Sequence, residues 1–459
     1  GGALIAAGNL HLTNSTLGNG GTIRSAGALH IDGARIDNRG GVLHSGGAMS
    51  LASQSDIDLT SARLSAQSLA LSADGHLLLN TATQSIQDGQ RSVQRLGTQA
   101  QINTTGDAHI QTGGNLEQHG GALTVGGDLS VHTGGDWKLG TAAWRETTRV
   151  QSDEATRSNT DILRAQSARV QVGGQTQAWI GQDLDAQGAT LSLAGGGHLS
   201  AGRDIKLTAA AEHGEVDSAS HSKRHTESRH SLDERLIGTS LSANADLTLN
   251  AGQDLKLQAS AVSLTQGAAT FVADRDIKIQ SAQERHETDN FHAGNRGHAL
   301  KKTTLTTKDR TDQSQAMAAS VSAERIHLQS GQDLQIQGSQ LVATQNLTAI
   351  AARHIDVAAG QHQQSDRHDR QEGKRGIFGG GGLAITIGNQ KNSTRQEAEQ
   401  SIAAATTLGS IEGDILLRAG ERYSQTGSHL MTPGGSIDIS AQSIAIQAAQ
   451  ESANQRIDT

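Results

Sequence analysis

Short segments of alternating apolar and polar residues recur along the chain at a nearly fixed spacing. AGNLHL at 7–12, AGALHI at 26–31, GGAMSL at 46–51 and AQSLAL at 66–71 place Leu10, Leu29, Met49 and Leu69 at steps of 19, 20 and 20 residues. A second set runs Leu17, Ile36 and Ile57, and a third runs Ile23, Val42 and Leu64. Alternation at period two is the signature of a strand with one buried face. Gly, Asn, Asp and Ser lie between the segments, with glycine pairs at 20–21 and 40–41. These residues supply the corner conformations that other side chains resist. The pattern therefore predicts three short strands in every 19–20 residues.

Strands so short and so regular do not build a sandwich, but they can wind into a coil. Stacked coils pair each strand in parallel with its equivalent one turn away, about 4.8 Å along the axis. The expected fold is all-β: a parallel β-helix of about 15 coils, roughly 70–75 Å long at that spacing. Leu10, Leu29, Met49 and Leu69 should stack inside it. The same signature returns downstream, as GGDLSV at 126–131, AGRDIKL at 201–207, AGQDLKL at 251–257, SGQDLQI at 330–336 and GGSIDI at 434–439. Residues 251–279 align with 330–357 at an offset of 79, too long for one coil.

The excess lies in insertions near 81–100, 140–162, 208–240, 280–321 and 358–407. Residues 208–240 hold six Asp/Glu, four Lys/Arg and four His, a composition that cannot enter an apolar bore. Such stretches must project as hairpins or loops, and alternating runs such as LKKTTLTTK at 300–308 favour hairpins. The expected organisation is one continuous solenoid: regular coils over 1–80, coils with two insertions over 81–207, and a second repeat type with three insertions over 208–459.

Composition sharpens this picture. There are 55 Gly, one Pro, no Cys and only seven aromatic residues among 459. Large apolar side chains are too few for a conventional globular core, whereas a narrow bore is filled by Leu, Ile, Val and Ala. The single proline excludes collagen, and the absence of cysteine excludes a disulfide scaffold or a thiolate zinc site. A net charge of −8 argues against non-specific nucleic-acid binding. No apolar run reaches the ~18–20 residues of a spanning helix. No signal peptide opens the sequence, which reads as an excerpt of something longer.

Candidate chemistry is sparse. Asp204, Asp254, Asp276 and Asp333 each precede a strand and read as corner residues whose carboxylates accept local backbone N–H groups. His221 and His225 have the i, i+4 spacing of a helical zinc pair, but no helix is indicated and both read as solvated. Trp137, Trp144 and Trp179 fit packing of coils against the insertion bases. No catalytic, cofactor-binding or metal-binding residue is read, and the chain is expected not to be an enzyme. The most unusual stretch is GIFGGGGLAITIG at 376–388, uncharged over 13 residues. Its Ile377, Phe378, Leu383, Ile385 and Ile387 are candidate membrane- or partner-contact residues, since that length suffices for one tilted spanning strand.

Asn19 to Ile31, with the form N-G-G-x-I-x-S-x-G-x-L-x-I, resembles filamentous haemagglutinin repeats. SAQERHET at 281–288, SGQDLQIQGS at 330–339 and KRGIFGGGGLAITIG at 374–388 resemble a second haemagglutinin-repeat type. The ordered set resembles the large exoproteins of two-partner secretion, most of all the downstream repeat region of contact-dependent growth inhibition proteins (CdiA type). The resemblance implies a right-handed β-helix that is secreted to the surface of a Gram-negative cell through an outer-membrane two-partner-secretion transporter. It also implies a stalk that presents or delivers a C-terminal toxin and engages a target-cell outer membrane or surface receptor. An immunity protein would bind the toxin and not this segment. A filamentous adhesin binding host cells or glycans is the alternative. Lack of cysteine suits a chain threaded unfolded through the periplasm.

Overall fold

The computed structural model describes residues 2–153, 155–298, 301–379 and 385–459. Its core is a three-sided parallel β-helix. One side is a sheet of 14 parallel strands, from Ala3–Ala6 to Ser428–Met431. Fourteen coils at about 4.8 Å give an axis of roughly 65 Å.

Leu10 pairs with Leu29, Leu29 with Met49 and Met49 with Leu69, so the inward stack expected from the spacing is present. Leu29, Met49 and Leu69 are buried. Leu17, Ile36 and Ile57 form the second stack. The third differs by one residue: Leu43, not Val42, pairs with Ile23 and Leu64. Both residues are apolar, and register decides between them. Gly21 and Gly41 occupy equivalent corners, so the inward position is two residues on, and Val42 faces outward between Thr22 and Arg63.

Aromatic residues have a larger part in the bore than their scarcity suggests. Trp137, Phe271 and Tyr423 are among its largest fully buried side chains. Trp137 lies between Leu116 and Leu184 in the inward row and not at an insertion base. Trp179 is on the outside of the coil and 42% exposed, and Trp144 lies in an insertion opposite Arg164.

The corner aspartates also bond differently from expectation: they reach to the next coil. The carboxylate of Asp183 accepts the N–H of Asp204, Asp204 that of Asp254, Asp254 that of Asp276, and Asp276 that of Asp333. Asp136 and Asn115 fill the same place one and two steps earlier and accept the N–H groups of Asp183 and Asp136. Each acid thereby clamps one coil to its neighbour. Arg203, Lys206, Arg275 and Arg353 line the row and balance its charge. Burial alone would raise the Asp183 carboxyl, but the Asp204 N–H, Lys206 and Arg203 together hold it below the usual carboxylate range.

The insertions are antiparallel hairpins. The first joins Thr83–Asp88 to Arg91–Leu96, the second Trp137–Asp153 to Thr156–Ser167, and the third Ala210–His221 to His225–Ile237. The fourth joins Ala282–His298 to Lys301–Met317, and the fifth Gly360–Gly379 to Ile385–Ala404. They do not project separately. Each pairs edge to edge with the next, and Ser452–Asp458 adds a final strand, so all belong to one antiparallel sheet.

Their spacing explains the fusion. Leu69 pairs with Ala108 across a coil that holds a hairpin, Ala108 with Leu129 across a plain one, and Leu129 with Thr176 across the next hairpin. The alternation continues to Ile437. A hairpin thus leaves the helix every second coil, about 9.6 Å apart. A hairpin is also two strands wide, the same ~9.6 Å. The two lattices are commensurate, and neighbouring hairpins meet at strand-pairing distance without bending. The offset of 79 residues between 251–279 and 330–357 is one plain coil plus one hairpin coil, as Leu255 pairs with Ile277 and Ile277 with Leu334.

Candidate functional site: the fused hairpin sheet

The paired length of the hairpins grows along the chain, from 6 residue pairs in the first to 12 in the second and third, 17 in the fourth and 20 in the fifth. The sheet therefore widens away from the coil as it follows the axis. Its strands are mostly polar on both faces, so backbone pairing and cross-strand charge must hold it together in place of a core.

Every seam between hairpins carries a carboxylate in contact with an arginine or a histidine. Arg91 meets Glu146 at 2.6 Å across the first seam, and Arg164 meets Glu212 at 3.4 Å across the second. Histidines take over further along: His286 meets Asp233 at 2.5 Å and His292 meets Glu227 at 3.2 Å across the third seam. His368 meets Asp309 across the fourth. Within hairpins, Asp161 is held below the ordinary carboxylate value by its hydrogen bond from Arg145. His221 and His225, read as solvated, flank the turn of the third hairpin. His221 contacts Thr226, while His225 meets Glu227 at 2.6 Å.

His230 of the third hairpin bonds Asp217 at 2.7 Å, which raises its pKa above 6.5, with Glu215 and Glu287 adding to the shift. A raised folded-state value means that the pair's stabilisation is complete below the ordinary histidine pKa and fades as pH rises through the folded value. At this exposure the gain is only a few tenths of a kcal/mol. NMR titration should place His230 above 6.5, and Asp217→Asn should bring it back toward 6.5. A parent value at or below 6.5 would contradict the pairing.

The uncharged stretch sits at the far end of the longest hairpin. Ile377 pairs with Ile387, Phe378 with Thr386 and Gly379 with Ile385; Leu383 lies outside the described residues. Seventeen residue steps from the Gly360–Ala404 base put this end about 58 Å from the coil. The neighbouring strand pairs with the fifth hairpin as far as Lys301–Gly376. On the other side, Ser452–Asp458 pairs with the stretch from Ser401 to Arg395. Among the described residues no helix is long and apolar enough to cross a membrane, a statement that does not bear on strands.

The chain matches a family model described as Hemagglutinin repeat over residues 148–228, 218–306 and 300–457. A second, described as Haemagglutinin repeat, matches 1–80, 50–94 and 92–136. The chain belongs to the haemagglutinin-repeat family. The three matches to the first model cover the chain from residue 148, with the four longer hairpins, and those to the second cover the N-terminal coils together with the first, short hairpin. Among relatives, the chain is 32% identical over 99% of its length to the tRNA nuclease CdiA-2 of Burkholderia pseudomallei strain 1026b. It is 33% identical over 99% to the Toxin CdiA of Yersinia pestis and 31% identical over 78% to the Deoxyribonuclease CdiA of Dickeya dadantii. The chain spans 15%, 14% and 11% of those three proteins, so most of each lies outside the match. It is a haemagglutinin-repeat region similar to that of CdiA proteins. No solved structure matches it.

Sequence reasoning found the hairpins by their charge but not their union. The seam residues give no local signal, because Asp233 and His286 are 53 residues apart and Glu227 and His292 are 65 apart.

Proposed function

We propose that this segment is a non-catalytic stalk of a secreted cell-surface exoprotein that presents or delivers a C-terminal toxin to neighbouring bacteria on contact. The observation that carries the reading is the near full-length similarity to several CdiA proteins named as toxins or nucleases. The fold is consistent with it. A parallel helix gives length and stiffness from short repeats. Its corner carboxylates are engaged by backbone N–H groups of the next coil and so are not disposed as a catalytic acid pair. A chain without cysteine suits threading through an outer-membrane two-partner-secretion transporter, with display on a Gram-negative surface.

Within this reading, residues 1–80 are a spacer, 81–207 a transition and 208–459 the active part of the stalk. The far end of the fifth hairpin, with Ile377, Phe378, Leu383, Ile385 and Ile387, is the element that engages the target outer membrane. A lone strand pair cannot satisfy its edges in lipid, so entry would need further strands paired beside it.

In-frame removal of residues 208–459 from the full-length protein tests the proposal. Surface display should persist, while growth inhibition of co-cultured target bacteria should be lost. Unimpaired inhibition, with loss of adherence to host cells instead, would favour a filamentous adhesin.

A further inference from the structure

Among the described residues, three groups bring three potential metal ligands together. One of them spans two hairpins. His225 and Glu227 lie two apart on the third hairpin and so share a face. His292, on the fourth hairpin, is the direct cross-strand partner of Glu227. The partner of His225 is Gly294, whose missing side chain leaves room beside the His292 ring: a Cβ there would lie 3.5 Å from Nε2. His225 Nε2 and His292 Nδ1 reach the same oxygen of Glu227, at 2.6 and 3.2 Å. All three ligand atoms lie within 4.8 Å of one another, and the two rings stand edge to face at 4.6 Å.

We propose that His225, Glu227 and His292 bind a divalent transition-metal ion of the Zn²⁺ class, which pins the third hairpin to the fourth. Two neutral imidazoles and one carboxylate form a nitrogen-rich donor set that suits Zn²⁺ and disfavours Ca²⁺ or Mg²⁺. Ligand bonds of about 2.0–2.1 Å in a tetrahedron separate donors by about 3.3–3.4 Å. The two nitrogen–oxygen separations, 2.6 and 3.2 Å, are somewhat shorter, so small rotations about the side-chain bonds that open them seat an ion where two ring N–H groups now share one oxygen. Glu227 and His292 also line a cavity of about 380 Å³, with Ser220, Arg229 and Asn290, with room for a water or a small anion beside the site. The other two groups are weaker candidates. Glu215, Asp217 and His230 offer one imidazole within a single hairpin, and His11, His30 and Asp32 lie on two adjacent coils that carry no hairpin.

The test is Zn²⁺ titration of the metal-stripped 459-residue chain by calorimetry, with thermal unfolding in parallel. One tight equivalent should bind and raise the melting temperature by mass action. Co²⁺ in the same site should give the visible absorption of four-coordinate geometry. His225→Ala and His292→Ala should each weaken that equivalent by more than about 100-fold, beyond the 10–100-fold cost of losing an outer-shell partner. His230→Ala and His368→Ala should leave it unchanged. Glu227→Gln, nearly isosteric, repeats the test should an alanine variant fail to fold, and should also lose the site. Absence of a tight equivalent would overturn the proposal. So would Zn²⁺ uptake that survives these substitutions because it is spread over the other surface histidines.

Discussion

Leu257→Asp should unfold the middle of the helix, with a stability loss of about 4 kcal/mol or more by the costs of core truncation and buried charge. Leu257 is fully buried and stacks between Leu207 of the preceding coil and Ile279 of the next. An aspartate there must either stay charged among aliphatic side chains or take up a proton and still lack a hydrogen-bond partner. Because each coil rests only on its neighbours, the damage passes to both. One residue away the sign reverses. Lys256 faces outward between Lys206 and Lys278, so three ammonium groups stand in one row. Lys256→Asp relieves that repulsion and should be neutral or slightly stabilising. Denaturant unfolding of the two variants checks both, and equal effects would place the bore on the wrong side of the strand.

The second large effect concerns function. Residues 376–388 replaced by a Gly/Ser loop in the full-length protein should leave display and folding intact while toxin entry into target cells falls strongly. The stretch stands about 58 Å from the coil, at a distance where it contributes nothing to the bore. Burying its five large apolar side chains in lipid would contribute about 1.5–3 kcal/mol each, before the cost of ordering them. Delivery that survives the replacement would reject the membrane role. Loss of folding would assign the stretch to the structural core instead.

Much of the fold was legible because a coil repeats its own register. Leu10, Leu29, Met49 and Leu69 could be stacked from spacing alone, since no insertion separates them. Val42 was misplaced because Leu43 is apolar too, and only equivalence of Gly21 with Gly41 chooses between them. Trp137 was expected to pack a coil against an insertion base, although GGDWKL carries it where GGDLSV carries an inward leucine. The sheet of hairpins was the least visible feature. Its seams join residues from different coils, and local composition records only that such strands are polar. The decisive clue was metrical: one hairpin in every second coil matches the width of two strands.

That match makes the fused sheet the central claim, and the absence of native cysteine gives it a clean test. Ser231 and Thr288 are direct partners across the seam between the third and fourth hairpins. Their Cα atoms should be about 4.5–5.5 Å apart, within disulfide range. Val216 is the partner of Ser231 on its other side, so it stands two strands from Thr288, about 9.6 Å away and out of range. The measurement is thiol titration of the folded chain after mild oxidation, in the double variants Ser231→Cys/Thr288→Cys and Val216→Cys/Thr288→Cys. The first should lose both free thiols to an intramolecular disulfide and the second should keep both. Free thiols in the first variant, or equal cross-linking in the two, would show that the hairpins stand apart.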